Sequence, residues 1–184
     1  MEKTKQNVCI FHGTGGTPEM FWVPYLKDEL QNKGYDVWAP QLPEAEVPDV
    51  NIWMPYVFEN KKFNSETILI GHSAGATLIL SLLENTDVHI KKAILVSGFH
   101  RYDKPFPILQ SEYNWEKIKN NCGKFLFLNS DNDPYKCDDI QGREMFDKLG
   151  GIQMIFHGEG HMGSNSYNQP YKEFPLLLKL CEDF

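Results

Sequence analysis

Short apolar runs recur along the chain, spaced so that one amphipathic segment fits between successive runs. Asn7–Phe11 (NVCIF), Tyr35–Ala39 (YDVWA), Thr67–Ile70 (TILI), Ala93–Ser97 (AILVS), Lys124–Asn129 (KFLFLN) and Ile152–His157 (IQMIFH) lack strict polar alternation. That pattern predicts strands covered on both faces of a parallel sheet. Between them, Met20–Lys33, Ala74–Glu84, Asp138–Leu149 and Tyr171–Cys181 predict helices, with Gly34 and Gly150 as stop signals. Asn51–Lys62 also has helical character, interrupted by Pro55. Strand–helix alternation of this kind predicts a three-layer α/β/α sandwich with right-handed crossovers.

Two stretches break the alternation. Gln41–Pro55 carries Pro43, Pro48 and Pro55, and Phe99–Trp115 carries Phe99, Tyr102, Phe106, Tyr113 and Trp115. Both follow predicted strands, at the sheet edge where open α/β folds bind ligands. Their aromatic residues either line a substrate pocket or simply cover the end of the sheet.

Composition narrows the classes. The 184 residues suit one domain, read as 1–184, with 41% hydrophobic and 23% charged residues. A net charge of −7 argues against a nucleic-acid partner, which needs clustered Lys and Arg. The most apolar stretch, Phe174–Leu180, is interrupted by Lys179, so no membrane span is expected. The N-terminal MEKTKQNVCIFHG has only a short apolar segment, which predicts no signal peptide and a cytoplasmic location. Cys9, Cys122, Cys137 and Cys181 show no zinc-like spacing and are expected to be free thiols.

The chemistry concentrates after predicted strands. Gly71-His72-Ser73-Ala74-Gly75 sits between the run TILI and the helical run ATLILSLLE. GxSxG is a weak signal alone, but strand, tight turn and helix are the context in which it presents a nucleophile. A serine hydroxyl needs a base, and the base an orienting acid, in the chain order Ser, acid, His. Ser130-Asp131-Asn132-Asp133-Pro134 follows the fifth strand, and Gly158-Glu159-Gly160-His161-Met162 follows the sixth. The candidate triad is therefore Ser73, Asp133 and His161, with His161 expected on a flexible, glycine-rich loop. Asp131 is the rival acid. His157, the rival base, ends its strand and is expected to point inward. His72 is expected to point away from the Ser73 hydroxyl. The loop His12-Gly13-Thr14-Gly15-Gly16 is a candidate source of one oxyanion donor, Thr14 N–H, with Gly13 and Gly15 as alternatives; Ala74 N–H would be the other. No metal-ligand motif of the HExxH kind is present, so neither metal nor other cofactor is expected.

HGTGG, GHSAG, SDNDP and GHM together resemble a small α/β-hydrolase. The short length, lacking the usual first two strands and a large cap domain, is similar to the retinoblastoma-binding-protein-9-like (YdeN-like) serine hydrolases, over Val8 to about Met162. The resemblance implies about six mostly parallel strands in the order 2-1-3-4-5-6. It also implies a Ser73–His161–Asp133 triad and ester hydrolysis. The LxCxE motif linked to the family's namesake is missing, since Leu180-Cys181-Glu182 lacks its spacing, so no protein partner is carried over. The expected activity is that of a carboxylesterase-like serine hydrolase on small acyl esters, through an acyl-enzyme. Thioesterase or amidase chemistry would use the same three residues. A binding protein on a hydrolase scaffold is the alternative from another class.

Overall fold

The computed structural model describes residues 6–182. Residues 1–5 and 183–184 lie outside the described residues. They are the two ends of the stretch assigned to one domain, and the first five also begin the segment screened for a signal peptide. Six strands, β1 (Asn7–Phe11), β2 (Asp36–Trp38), β3 (Ile68–His72), β4 (Lys92–Val96), β5 (Phe125–Ser130) and β6 (Ile152–Phe156), form one sheet in the order β2-β1-β3-β4-β5-β6. All five pairings are parallel, with β3 at the centre meeting β1 through Ile70↔Ile10 and β4 through Ile70↔Ile94. The expected strand order is the observed one.

Period-two alternation divides the strand residues between two cores. Val8, Ile10, Ile68, Ile70, Ile94 and Val96 face helices α1 (Val23–Asn32) and α6 (Pro175–Cys181). Cys9, Phe11, Leu69, Ala93, Leu95 and Phe127 face α2 (Val50–Asn60), α3 (Ala74–Asn85), α4 (Trp115–Asn120) and α5 (Asp139–Leu149). Both strand faces are thus covered, which is why the strands read as unbroken apolar runs. The central helix α3 is buried at every position from Ala74 to Leu83.

The departures from the sequence reading are local. α2 forms despite Pro55, because Asp49 caps it by accepting from Asn51 N–H and Trp53 and Val57 are fully buried. Tertiary burial there outweighs the hydrogen bond that proline removes. α1 and α6 begin at Val23 and Pro175, later than the predicted Met20 and Tyr171. The short α4 was not predicted; it buries only Ile118 and is announced by little more than its cap, Asn114, which accepts from Lys117 N–H.

Candidate active site

Ser73 stands between β3 and α3 with φ 54° and ψ −119°, a backbone conformation that L side chains rarely adopt. Its N–H donates to Val96 O at 2.9 Å, tying the turn to β4. The flanking glycines are required by contact. A Cβ on Gly71 would run into the Gly75 backbone, and one on Gly75 into the carbonyl oxygens of Phe11 and His12. Strand and helix approach so closely here that only hydrogen fits.

The loop after β1 packs against the serine: a Cβ on Gly13 would lie 3.0 Å from Ser73 Cβ. His12 anchors this loop, donating from Nδ1 to Gly13 O and accepting Leu42 N–H at Nε2, 3.0 Å away. Burial pushes its pKa down, consistent with a neutral ring in that role. Gly15 N–H and Gly16 N–H are committed to Ala45 O and Gly13 O. Gly15, one of the alternative oxyanion donors, is therefore engaged elsewhere. Thr14 lines the cavity beside Ser73, and Ala74 opens α3 directly behind it.

The loops after β5 and β6 meet twice. His161 Nδ1 lies 2.7 Å from Asp133 Oδ2, with both side chains buried. His157 Nδ1 lies 2.6 Å from Asp131 Oδ2, with the imidazole in solvent. The inward orientation expected of His157 is thus corrected: as the first residue past an edge strand, it turns out toward water and takes the outer aspartate. Asp133 Oδ1 meanwhile accepts Tyr135 N–H at 2.8 Å, so both of its oxygens are used.

The glycine-rich loop carrying His161 is pinned rather than loose. Gly158, Glu159 and Gly160 donate their N–H groups to Asp131 Oδ1, Ser130 Oγ and Asn132 Oδ1. His161 N–H donates to Gln169 Oε1, and its carbonyl lies 2.9 Å from His72 Nε2. His72 thus faces the backbone of the base, a contact that no sequence spacing suggests. The other histidines lie elsewhere, His89 on Asn120 O and His100 on Glu144.

Cys137 is the neighbour the sequence reading missed. Its sulfur, one Asp133 oxygen and one His161 nitrogen all lie within 4.8 Å of one another. Burial pushes its thiol well up, the Asp133 and Asp138 charges add to that, and a hydrogen bond with the Ser73 hydroxyl opposes it. All four cysteines are buried free thiols.

Ser73, His161 and Cys137 share the wall of a cavity of about 610 Å³. Phe99, Tyr102 and Phe106 form one side, the rings of Phe99 and Phe106 lying nearly parallel at 5.9 Å. The second irregular stretch therefore does line a pocket. From the first, only Glu46 reaches it, while Tyr113 and Trp115 pack against the core.

The family described as serine hydrolase matches residues 8–180. The serine hydrolase RBBP9 of Rattus norvegicus is 25% identical over 181 residues, covering 95% of this chain and 96% of that protein. Among solved structures, the ydeN gene product of B. subtilis superposes with a TM-score of 0.84 at 21% identity, covering 96% of each chain. Est1E from Butyrivibrio proteoclasticus, with ferulic acid bound, gives 0.69 at 13% identity over 99% of this chain and 88% of its own. No helix among the described residues is long and apolar enough to cross a membrane.

Proposed function

The chain belongs to the serine hydrolase family, and we propose that within it this protein cleaves small acyl esters through a Ser73–His161–Asp133 relay and an acyl-enzyme. One observation carries the reading: a buried His161–Asp133 hydrogen bond on the wall of the same cavity that holds a serine on a strained elbow. With Nδ1 held by Asp133, Nε2 is the nitrogen left to take the Ser73 proton. A turn about χ1 moves the hydroxyl from Cys137 toward the imidazole, a rotamer change that side chains make readily. Ser73 Oγ then attacks the acyl carbonyl while Nε2 accepts the proton. The tetrahedral oxyanion takes hydrogen bonds from Thr14 N–H and Ala74 N–H. Collapse expels the alcohol, protonated by His161, and water repeats the sequence to free the acid. Each backbone donor of this kind contributes about 10²–10³ in rate.

The aromatic side of the cavity favours an apolar acyl or alkoxy group. Ferulic acid in the fold neighbour Est1E is a carboxylic acid, the product class that ester hydrolysis yields. Residues 1–184 are read as one α/β-hydrolase domain without a large cap. Among the described residues the connection between β4 and α4 is a single irregular stretch, and it forms a wall of the cavity rather than a separate lid.

The test is labelling with a fluorophosphonate probe, followed by turnover on matched esters, thioesters and amides of graded chain length. Labelling of the native protein, lost in Ser73→Ala, with esters turned over fastest, is the expected result. Labelling that persists in Ser73→Ala overturns the nucleophile, and faster thioester or amide turnover overturns the bond type.

A further inference from the structure

His72 immediately precedes the nucleophile yet has no part in the proton relay. Its Nε2 lies 2.9 Å from the backbone oxygen of His161, and Ser97 Oγ donates to the same oxygen at 3.1 Å. A carbonyl only accepts, so Nε2 carries the hydrogen and the ring is the Nε2–H tautomer. The rings of Phe21 and Trp22 pack steeply tilted against the His72 ring, at 5.9 and 5.8 Å between centroids. Trp22 in turn donates Nε1–H to the next carbonyl, that of Met162, at 3.1 Å. The strand end that presents the nucleophile therefore also sets the position of the base's backbone.

We infer that His72 is a positioning residue, which holds the His161 imidazole in register with Ser73 by gripping the carbonyl of residue 161. The inference rests on the triad reading. Neutrality suits the role. The His72 and His161 rings stand 4.8 Å apart, and a charged His72 would oppose the imidazolium that His161 must form. Burial, then the adjacent His161, and finally His12 push the His72 pKa down to about 3, while the His161 carbonyl opposes that shift. Misplacing a reacting group by about 1 Å costs on the order of 10² in rate, whereas substrate binding in the aromatic half of the cavity is left alone.

The test separates positioning from packing. His72→Phe keeps a ring and removes the donor; His72→Gln keeps a donor at similar reach. On a short p-nitrophenyl ester, His72→Phe is expected to lower kcat by about 10–100-fold with KM within about 3-fold, and His72→Gln to recover most of the loss. Nitrogen-15 NMR of the native protein is expected to show His72 as the Nε2–H tautomer, not titrating between about pH 5 and 9. Equal losses in the Phe and Gln variants, unchanged kcat in His72→Phe, or a titrating ring would each overturn the inference. If His72→Phe does not fold, Ser97→Ala removes the second donor and is expected to cost about 3–10-fold in kcat, with the NMR result deciding beside it. Hydrolysis retained by Ser73→Ala would instead fail the triad reading, which the tautomer measurement does not depend on.

Discussion

Two loops of this molecule make the same hydrogen bond twice, in opposite surroundings. Asp131 and Asp133 stand two residues apart after β5, and His157 and His161 four apart after β6; they pair outer with outer and inner with inner, at 2.6 and 2.7 Å. The outer imidazole is 97% exposed and its aspartate 34%, against 7% and 0% for the inner pair. A histidine–carboxylate bond is therefore no marker of chemistry by itself. What distinguishes the inner pair is its burial, a cavity wall that His161 shares with Ser73, the Tyr135 ring at 4.6 Å, and a base whose backbone is held on both sides. Charges separated in water are screened by solvent and salt, while groups in a buried cleft are screened much less.

The contrast breaks most sharply if the inner pair or its serine can be removed without effect. Ser73→Ala and His161→Ala are expected to lower kcat by about 10⁴-fold or more, measured as ester turnover, because triad members act as a unit. Next, Asp133→Asn should cost about 10³–10⁴ by leaving the imidazole in the wrong tautomer, while Asp131→Asn stays within about 2-fold of the native rate. Equal losses in the two asparagine variants would erase the distinction between the pairs. A smaller effect tests the frame that brings Ser73 to the inner pair alone. Gly75→Ala forces its methyl into the Phe11 and His12 carbonyls and should destabilise the fold by about 1–3 kcal/mol or more in denaturant titration.

The frame and the motifs were legible because each is contiguous in the chain. GHSAG, weak alone, is read through the apolar run before it and the helical run after it, and the aspartate and histidine loops likewise follow strands whose apolar runs are plain. The inner pairing of the loops, His161 with Asp133, was the one expected, whereas the outer pairing of His157 with Asp131 was not legible. Asp131 and Asp133 differ by two positions, and only the burial of the second against Tyr135 and His161 separates them. The reading that set His157 against His161 missed that each finds its own aspartate. His72 and Cys137 meet the site from 89 and 64 residues away along the chain from their partners His161 and Ser73, and no local spacing encodes such contacts. Glycines around His161 read as looseness, yet side-chain acceptors on neighbouring loops take up their amides. α4 is too short for a helical period to show.

The smallest effect sharpens the comparison from the outer side, through pH. Asp131 is held below the usual carboxylate range, first by Gly158 N–H and then by His157, and Asp131 in turn raises the His157 pKa. Raising the folded pKa of His157 makes its contribution to stability full below the unfolded value of 6.5; it is lost as pH climbs through the folded value. Lowering that of Asp131 makes its contribution present above the unfolded value of 3.8; it is lost as pH falls through the folded value. The outer pair therefore stabilises the fold between roughly pH 4 and 6.5 and fades on either side, weakly, since water and salt screen it throughout. Asp131→Asn keeps an acceptor for Gly158 N–H but removes the charge. NMR titration should find the His157 midpoint above its ordinary value in the native protein and lowered toward 6.5 in the variant, with the difference shrinking as salt rises. Any loss of Tm in the variant should be largest in that acidic window and smaller at neutral pH, where only the charge-assisted bond from Gly158 N–H is weakened, with esterase activity at neutral pH unchanged. A His157 midpoint indifferent to Asp131 would mean that the outer bond does not persist in water. The inner pair would then differ from it in existing at all, not only in where it is buried.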